Sequence, residues 1–287
     1  MNIKTKQVGL IGWPIEHSLS PAMHNAAFAE LGLDWSYSLF PTQPGDLESL
    51  LKNLDAQNIV GANVTMPHKQ IIMPYLDHIS DDARIIGAVN TIHVQNGKMY
   101  GYNTDGIGFL NALREAGHEP AGMRVAMLGA GGAARAVIFS LAQAGVDRIT
   151  VVNRTVKHGV RLSDDMAGAF PACHIEFEPL SFETVSHLSQ NIDLIVNATS
   201  VGMQPDDGIS LWPDDLAIPT DTIFYDVIYK PIPTLFLQQA QAAGQKTVNG
   251  LGMLIHQGVA AFEIWTGQKA PLETMKQACL KELGFDH

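Results

Sequence analysis

The sequence predicts an α/β fold built from two domains. Strand-like and helix-like runs alternate from one end of the chain to the other, which is the pattern of α/β proteins. The length of 287 residues favours two domains rather than one. A third observation is the Gly-rich turn at 129–133. It stands between an apolar run and a helical run, an arrangement typical of a dinucleotide-binding domain.

The first part of the chain alternates between short apolar runs and amphipathic segments. Four strands are predicted there: Val8–Ile11, Ile59–Val64, Val89–Val94 and Lys98–Gly101. The last two flank Gln95-Asn96-Gly97, which is typical of a hairpin turn. Ser20 is predicted to cap a helix that has Pro21 as its first residue and ends before Gly32. Further helices are predicted over Asp46–Leu54, Pro67–Tyr75 and Asp105–Glu115.

The second part of the chain contains a longer series of buried-type strands. They are predicted at Val125–Leu128, Ile149–Val152, His174–Phe177, Asp193–Val196, Thr222–Val227 and Lys246–Val248. Helices are predicted over Ala133–Ala144, Gly250–Thr266 and Pro271–Leu283. The chain has no Pro/Ser-rich linker. We therefore expect the domain boundary near residue 105 to be a helix or a tight connection.

Composition and charge exclude several classes of protein. The formal net charge is −11 and the isoelectric point is about 5.3, which argues against nucleic acid and anionic membranes as partners. No run of 18 apolar residues occurs, and the N-terminus lacks an apolar signal segment. The two cysteines, Cys173 and Cys279, form neither a metal-binding spacing nor a disulfide scaffold. We expect a cytoplasmic protein that binds no metal, nucleic acid or membrane.

The Gly-rich turn fits the dinucleotide motif G-x-G-x-x-A on Gly129, Gly131 and Ala134. The first glycine permits the tight turn, the second lets the backbone approach a pyrophosphate, and the alanine allows close helix–strand packing. The next predicted strand ends at Asn153-Arg154, where an NAD-binding protein would carry an acidic residue. A guanidinium binds a ribose 2′-phosphate, whereas a carboxylate repels it. The pattern favours NADP, although a surface arginine is the simpler alternative for Arg154 alone.

Polar clusters follow the predicted strands of the first hundred residues, at the sheet edge where α/β proteins bind ligands. Their neutral donors and acceptors suit a small polyhydroxylated ligand, and they are Ser18, Ser20, Asn63, Thr65, Asn90 and Thr104. Each also has a structural alternative. Ser20 can be a helix cap, Asp105 a first-turn acid of its helix, and Lys69 a solvated surface lysine. The joint occurrence of these residues favours a binding site.

Taken together, these motifs resemble those of the shikimate dehydrogenase family over nearly the whole chain. The matching segments are His-Ser-Leu-Ser-Pro at 17–21, Asn-Val-Thr-Met-Pro-His-Lys at 63–69, Ala-Val-Asn-Thr at 88–91, Asn-Thr-Asp-Gly at 103–106, Gly-Ala-Gly-Gly-Ala at 129–133, Asn-Arg-Thr at 153–155, Asn-Ala-Thr-Ser-Val-Gly-Met at 197–203 and Gly-Leu-Gly-Met-Leu at 250–254. The resemblance implies NADPH-dependent, reversible reduction of 3-dehydroshikimate to shikimate in aromatic amino-acid biosynthesis.

The resemblance also implies roles for individual residues. Lys69 and Asp105 are the expected catalytic pair, with Lys69 at the reacting oxygen. Ser18 and Ser20 are expected to hold the substrate carboxylate. The expected contacts of its hydroxyls are Thr65, Asn90, Asp105 and Gln257, with Asn63 and Thr104 beside them and Tyr229 at the border.

The NADP site implied by the resemblance has three parts. The diphosphate turn is expected at Gly129, Ala130, Gly131, Gly132 and Ala133. The ribose phosphate is expected at Asn153, Arg154 and Thr155, with Lys157 and His158 nearby. Val227, Gly250 and Met253 are expected to line the nicotinamide, and Thr199 completes the cofactor set. Two positions depart from the family pattern: many relatives carry Arg where this chain has His158, and Asp where it has Asn249.

The family fold implies that the substrate domain is discontinuous. We expect residues 1–105, completed by 251–287, to form it, and residues 106–250 to form a Rossmann-type NADP-binding domain. We expect a monomer or a homodimer. The nearest alternative is a quinate/shikimate dehydrogenase with broader cofactor use. A catalytically silent NADP- or shikimate-binding regulator is a second alternative, and a different Rossmann protein such as a methyltransferase is a third.

Overall fold

The computed structural model describes residues 5–54, 58–188, 191–204 and 206–285. The chain divides into two compact units. The first contains Met1–Gly108 and Ile255–His287, and the second contains Phe109–Leu254. Both crossings between the units fall inside helices, so the chain passes from one unit to the other without a loop.

The first unit is built on a mixed six-stranded sheet. Its strands are β1 (Lys6–Gly12), β2 (Trp35–Pro41), β3 (Ile59–Val64), β4 (His78–Ile79), β5 (Thr91–Gln95) and β6 (Lys98–Tyr102), in the spatial order β2-β1-β3-β5-β6-β4. β2 and β3 pair with β1 in parallel, whereas β5 is antiparallel to both β3 and β6. Asn96 and Gly97 both have positive φ in the β5–β6 hairpin, as the sequence predicted for this turn.

Short helices connect these strands. They are α1 (Ser20–Glu30), α2 (Leu47–Lys52), α3 (His68–Ile71), α4 (Asp81–Ile86) and α5 (Asp105–Glu115). One cluster of buried residues joins α2 to the sheet, and it includes Leu47, Leu51, Ile59, Val64 and Ile92. Because α3 and α5 each begin two or three residues after a strand or its turn, their first residues lie near the carboxyl ends of β3 and β6.

Two helix predictions in this unit are wrong in detail. The first helix begins at Ser20 itself, with Leu19 in the N-cap position and no side-chain cap. The hydroxyl of Ser18 instead accepts a hydrogen bond from the Ser20 amide at 3.2 Å. The single helix predicted over Pro67–Tyr75 is divided into α3 and a 3₁₀ turn at Met73–Tyr75, because Pro74 has no amide hydrogen to continue the helix.

The second unit is built on a fully parallel six-stranded sheet. Its strands are β7 (Arg124–Leu128), β8 (Arg148–Asn153), β9 (His174–Pro179), β10 (Leu194–Asn197), β11 (Ile223–Asp226) and β12 (Lys246–Val248), in the order β12-β11-β10-β7-β8-β9. This is the doubly wound Rossmann order. The chain reverses direction across the sheet between β7 and β10, which is where such sheets bind ligands.

Helices lie between or after the strands of the second sheet. They are α6 (Gly132–Gln143), α7 (Val156–Ala169), α8 (Phe182–Leu188), α9 (Leu235–Ala242) and the first residues of α10 (Gly250–Thr266). One buried cluster contains Leu128, Ile195, Trp212, Phe224 and Phe236. The predicted α/β fold with a Rossmann-type domain is therefore confirmed.

The last residues of the chain complete the first unit. The later part of α10 and the final helix α11 (Leu272–Glu282) both belong to it. The indole of Trp265 on α10 donates to the carbonyl oxygen of Ile92 on β5 at 2.8 Å. A Cβ on Gly61 of β3 would lie 2.4 Å from the same indole nitrogen, so only glycine allows this close packing.

A fully buried histidine lies in the core between α1 and β2. The ring of His24 stacks on that of Tyr37, with centroids 4.5 Å apart and an interplanar angle of 2°. Neither of its ring nitrogens has a hydrogen-bond partner among the described residues. Burial lowers the pKa of His24 to about 3. The imidazole is therefore neutral in the folded protein at physiological pH.

His24 is expected to make the folded protein sensitive to acid. The unfolded chain protonates this histidine near pH 6.5, whereas the folded state does so only near pH 3, so acid favours unfolding between these values. Between pH 7 and pH 5 the loss amounts to about 2 kcal/mol of unfolding free energy. His24→Phe is expected to remove this contribution, measured as the difference between wild type and variant in urea unfolding at the two pH values. Parallel pH dependence of the two proteins would contradict the assignment.

Candidate active site

The polar segments predicted from the sequence lie at one edge of the first sheet. Thr65 and Lys69 follow β3, and Asp105 opens α5 after β6. Asn90 directly precedes β5, and because β5 is antiparallel to both neighbours its beginning lies beside the ends of β3 and β6. Three segments that are separate in sequence are thus brought together by strand direction alone.

The centre of this cluster is an ion pair between Lys69 and Asp105. The Nζ atom of Lys69 lies 2.5 Å from Oδ2 of Asp105, and the two side chains are only 17% and 7% exposed. An ammonium and a carboxylate this close in a partly dry environment hold each other in a defined orientation. A lysine fixed in this way can donate a proton to a neighbouring oxygen or, as the amine, accept one.

Asn90 is oriented by an unambiguous donor. The backbone amide of Thr104 donates to Oδ1 of Asn90 at 2.7 Å, which identifies that atom as the oxygen. The amide nitrogen of Asn90 therefore faces Asp105 and donates to Oδ1 of that carboxylate at 2.8 Å. It also lies 2.9 Å from the hydroxyl of Thr104. One carboxylate oxygen of Asp105 is thus bonded to Asn90 and the other to Lys69.

Gln257 joins the same cluster from a distant part of the sequence. Its Oε1 atom lies 3.4 Å from Nδ2 of Asn90, and its side chain is largely buried on the later part of α10. The sequence provides no periodicity or spacing that links these two residues, and only the family resemblance placed them in one site. The cluster therefore contains Lys69, Asn90, Thr104, Asp105 and Gln257.

The other predicted substrate residues are not among the five side chains of this cluster. Asn63 is buried, and its amide group is bonded to neighbouring protein side chains. Ser18 and Thr65 are half-buried at the ends of β1 and β3, and Ser20 is buried in the first turn of α1. Tyr229 belongs to the second unit.

Two residues that the sequence reasoning missed lie beside this cluster. The hydroxyl of Thr91 donates to Oδ1 of Asn90 at 3.0 Å, and the hydroxyl of Tyr37 donates to Oδ1 of Asn63 at 2.9 Å. Thr91 ends the Ala-Val-Asn-Thr segment and could have been chosen from that motif. Tyr37 could not, because it lies on β2, which the sequence analysis did not predict.

The Gly-rich turn of the second unit has the geometry expected for a diphosphate. Gly129 has φ of +115°, and a Cβ there would lie 3.0 Å from the carbonyl oxygen of Ala198. Gly131 occupies the N-cap of α6 without a side-chain cap, and a Cβ there would meet nothing within 4 Å. The start of α6 thus has no side-chain cap, and the dipole of the helix favours an anion at this end. Ala130, Gly132 and Ala133 complete this turn, and the residues present fit a dinucleotide.

A cationic segment follows β8 at the same edge of the second sheet. The side-chain amide of Asn153 donates to the carbonyl oxygen of Thr155 at 2.9 Å and shapes the turn. Arg154, Lys157 and His158 are all exposed, and none of them forms an ion pair within the described ranges. Three nitrogen-bearing side chains without an acidic partner suit a phosphate monoester.

Beyond β10 and β11, a buried carboxylate holds two loops together. Asp226 accepts hydrogen bonds from Asn197 at 3.2 Å, from the hydroxyl of Thr234 at 2.7 Å and from the amide of Ile228 at 3.0 Å. Burial raises the pKa of Asp226 to about 6, although these hydrogen bonds oppose the shift. The oxygen of Asn197 in turn accepts from the amide and hydroxyl of Thr199.

The start of α10 approaches the loop that follows β11 very closely. A Cβ on Gly250 would lie 2.0 Å from the carbonyl oxygen of Val227, so glycine is required at this position. The amide of Gly250 donates to Ile228 at 3.1 Å, and Met253 is buried three residues further on. The predicted cofactor residues Thr199, Val227, Gly250 and Met253 therefore all belong to the second unit.

Two further observations concern the described part of the chain. Its histidine, cysteine, aspartate and glutamate side chains form no group of three or more that could hold a metal ion. None of its helices combines the length and apolar character needed to cross a bilayer.

A Rossmann unit with a dinucleotide turn, together with a second α/β unit carrying a lysine–carboxylate pair, defines the class of two-domain dehydrogenases. Three family models match the chain: the shikimate dehydrogenase substrate-binding domain over residues 10–92, shikimate/quinate 5-dehydrogenase over 112–203, and the shikimate 5′-dehydrogenase C-terminal domain over 250–280. The chain belongs to the shikimate dehydrogenase family.

Individual relatives agree with this assignment over almost the full length. A shikimate dehydrogenase (NADP⁺) of Geobacter sp. (strain M21) is 46% identical over 281 residues, which cover 98% of this chain and 96% of the relative. A crystal structure of a shikimate dehydrogenase in complex with NADP⁺ superposes with a TM-score of 0.91 at 43% identity, covering 98% of this chain and 97% of the other. A quinate dehydrogenase from Corynebacterium glutamicum in complex with NAD has a TM-score of 0.87 at 30% identity, covering 96% and 99%.

Proposed function

We propose that this protein catalyses the NADPH-dependent, reversible reduction of 3-dehydroshikimate to shikimate in aromatic amino-acid biosynthesis. The observation that carries the proposal is the partly buried pair of Lys69 and Asp105, surrounded by neutral hydrogen-bonding groups. A polyhydroxylated carbonyl compound needs many neutral partners and one proton donor at the reacting oxygen. The family membership and the NADP⁺-dependent relatives support the same reaction.

The proposed chemistry requires a proton at one oxygen atom. When bound, NADPH supplies the hydride that converts the ketone to an alcohol. Lys69 as the ammonium donates a proton to the oxygen that becomes the hydroxyl, and in the oxidation direction its amine accepts that proton. Asp105 keeps the Nζ atom in place and accepts a hydrogen bond from an adjacent substrate hydroxyl. A positioned acid of this kind contributes about 10²- to 10⁴-fold in rate.

We propose binding roles for the remaining residues. Ser18 and Ser20 hold the substrate carboxylate, and Tyr229 borders the substrate. The substrate hydroxyls are bound by Thr65, Asn90, Asp105 and Gln257, with Thr104 and Asn63 supporting them. NADP is bound by the turn at 129–133, by Asn153, Arg154, Thr155, Lys157 and His158, and by Thr199, Val227, Gly250 and Met253.

We further propose that the protein works in the cytoplasm as a monomer or homodimer and binds no nucleic acid. Its net charge of −11 disfavours association with a polyanion. The local cations at Arg154 and Lys157 are compatible with this overall charge, because a small phosphate needs only a few nearby donors.

The proposal predicts a specific order of substrates and cofactors. The specificity constant for shikimate with NADP⁺ is expected to exceed that for quinate with either cofactor, because the site and the Asn-Arg-Thr segment match the biosynthetic enzymes. A steady-state assay of shikimate and quinate, each with NADP⁺ and NAD⁺, measures this. An equal or higher constant for quinate would favour the broader quinate/shikimate enzyme. Binding of shikimate without turnover would favour the catalytically silent regulator. A regulator of that kind would not need the proton donor that the Lys69–Asp105 pair provides.

A further inference from the structure

We propose that Thr91 and Tyr37 are positioning residues for the Lys69–Asp105 pair and act through a buried chain of hydrogen bonds that ends on Asp105. This inference rests on the proposed function, since it concerns the geometry of the same catalytic pair. It assigns a role to two side chains that lie outside the proposed substrate-binding set.

The chain of hydrogen bonds is continuous over five links. The hydroxyl of Tyr37 donates to Oδ1 of Asn63 at 2.9 Å, and Nδ2 of Asn63 donates to the hydroxyl of Thr91 at 3.1 Å. Thr91 donates to Oδ1 of Asn90 at 3.0 Å, and Nδ2 of Asn90 donates to Oδ1 of Asp105 at 2.8 Å. The other carboxylate oxygen of Asp105 receives Lys69 at 2.5 Å.

The direction of the links is determined by the chemistry of the groups. The backbone amide of Thr104 can only donate, so the atom of Asn90 that it contacts at 2.7 Å is the oxygen. The nitrogen of Asn90 then faces Asp105, and the Thr91 hydroxyl donates to the oxygen of Asn90. Thr91 consequently accepts from Asn63, whose own oxygen accepts from Tyr37. Each group donates towards the carboxylate, so the links polarise one another in the same sense.

Burial keeps Thr91 and Tyr37, the two proposed positioning residues, away from the surface of the protein. Thr91 is 0% exposed and Tyr37 is 3% exposed, while Asn63 and Asn90 are 4% and 2% exposed. A buried side-chain amide must have partners for both its oxygen and its nitrogen, since an unsatisfied group is costly. Thr91 satisfies Asn63 on one side and Asn90 on the other. Together with the Thr104 amide, Thr91 therefore holds Asn90 in the orientation that directs its nitrogen to Asp105.

Tyr37 at the far end is itself held firmly. Its ring stacks on His24 with centroids 4.5 Å apart, and the Trp265 ring lies at 6.2 Å. The side chain of Asn25 donates to the backbone oxygen of Tyr37 at 3.0 Å and accepts from its amide at 2.8 Å. Because Tyr37 lies on β2 at the edge of the sheet, this pair of bonds replaces the missing neighbouring strand. The hydrogen-bond chain thus begins at a donor held by ring stacking and by backbone hydrogen bonds.

Thr91→Val tests the central link, because valine preserves the shape of threonine but removes its hydroxyl. We expect kcat for shikimate oxidation to fall about 3- to 10-fold, the effect on a rate of one uncharged hydrogen bond. The KM for NADP⁺ is expected to stay within about twofold, since the cofactor residues are unaffected. Thr91→Ser, which retains the hydroxyl, is expected to restore kcat. Equal losses in the two variants, or a kcat of Thr91→Val within about twofold of wild type, would overturn the proposal.

A matched control separates this effect from a general loss of stability. Thr222 is also buried, and its hydroxyl donates to the carbonyl oxygen of Ile192 at 2.9 Å in the second unit. Thr222→Val is expected to lose comparable stability in urea unfolding while kcat stays at the wild-type value. A comparable fall in kcat for this control would overturn the proposal, because the effect of Thr91 would then be one of stability.

A double-mutant cycle tests the continuity of the chain. Tyr37→Phe removes only a hydroxyl and is expected to lower kcat about threefold. In combination with Thr91→Val it is expected to add nothing, because the chain is already cut between Tyr37 and Asp105. Losses that multiply would show two independent effects and overturn the inference. If the wild type itself oxidises no shikimate, the proposed function fails first, and this outcome is visible before any variant is compared.

Discussion

Replacing Lys69 with alanine is expected to lower kcat for shikimate oxidation by about 10²- to 10⁴-fold, with a smaller change in KM. The proposed reaction needs a proton transfer at the carbonyl oxygen, and Lys69 is the cation of the polar cluster, 2.5 Å from Asp105. The loss falls mainly on kcat because the proton moves in the transition state, whereas the ground state keeps its other hydrogen bonds. Steady-state kinetics at saturating NADP⁺ measures both constants.

Two comparisons sharpen this test. Lys69→Arg keeps the positive charge but cannot release its proton, so its kcat is also expected to be low. Lys52→Ala removes an exposed lysine that pairs with Glu48 on α2, and its kinetics are expected to match the wild type. A kcat for Lys69→Ala within about threefold of wild type would exclude Lys69 as the general acid.

Replacing Arg154 with alanine is expected to raise KM for NADP⁺ by roughly 10- to 150-fold, the effect of losing one charge-assisted hydrogen bond to a phosphate. Arg154 is exposed directly after β8 and has no acidic partner within the described ranges, so its guanidinium is available to an anion. The KM for NAD⁺ is expected to stay nearly unchanged, because that cofactor lacks the 2′-phosphate. Lys157 and His158 can partly compensate, which favours the lower end of the range.

Salt dependence provides an independent measure of the same contact. A dianion bound by exposed cations is screened by salt, so the variant is expected to show a weaker dependence of NADP⁺ binding on ionic strength. Arg161→Ala is a suitable control, since Arg161 is also exposed on α7 and lies 4.0 Å from Asp165. Equal weakening of NADP⁺ and NAD⁺ by Arg154→Ala would show that Arg154 supports the fold or the diphosphate instead.

The strands of the second unit could be predicted from the sequence. Its parallel strands are buried on both faces, so they appear as continuous apolar runs bounded by glycine or polar residues. The predicted strand at Val125–Leu128 and the helix after it agree with β7 and α6 to within a residue or two. The parallel order of the sheet then follows from the dinucleotide motif and its repeated strand–helix units.

The first unit was harder to predict because its elements are short and its sheet is mixed. β2 contains the pattern Trp-Ser-Tyr-Ser-Leu-Phe-Pro, in which large apolar residues alternate with serine as in a half-buried strand, and it was missed. α4 was missed as well, since it has only six residues, too few to show a helical repeat of apolar positions. A helix as short as α4 depends on tertiary packing, because so few residues do not form a stable helix alone.

Within the candidate site, the polar residues themselves could be predicted better than their hydrogen-bond partners. Lys69 and Asp105 were chosen from motifs, and the structure brings them into contact. Asn63 was chosen for its amide, but that amide is bonded to Tyr37 and Thr91. A single sequence cannot reveal this arrangement, because the partners lie on three different strands whose pairing depends on the whole sheet.

The first unit cannot complete its core until α10 has been synthesised. Trp265 and Gln257, which contact Ile92 and Asn90, leave the ribosome only after the whole of Phe109–Leu254 has been made. At about 5–20 residues per second, that segment takes roughly 7–30 s to synthesise. The Rossmann unit is continuous in sequence and can fold during this interval. The surface of the first sheet that α10 later covers stays exposed in the meantime. The usual amino-to-carboxyl order of co-translational folding is therefore reversed, and chaperone binding to the nascent chain is expected to centre on the first hundred residues.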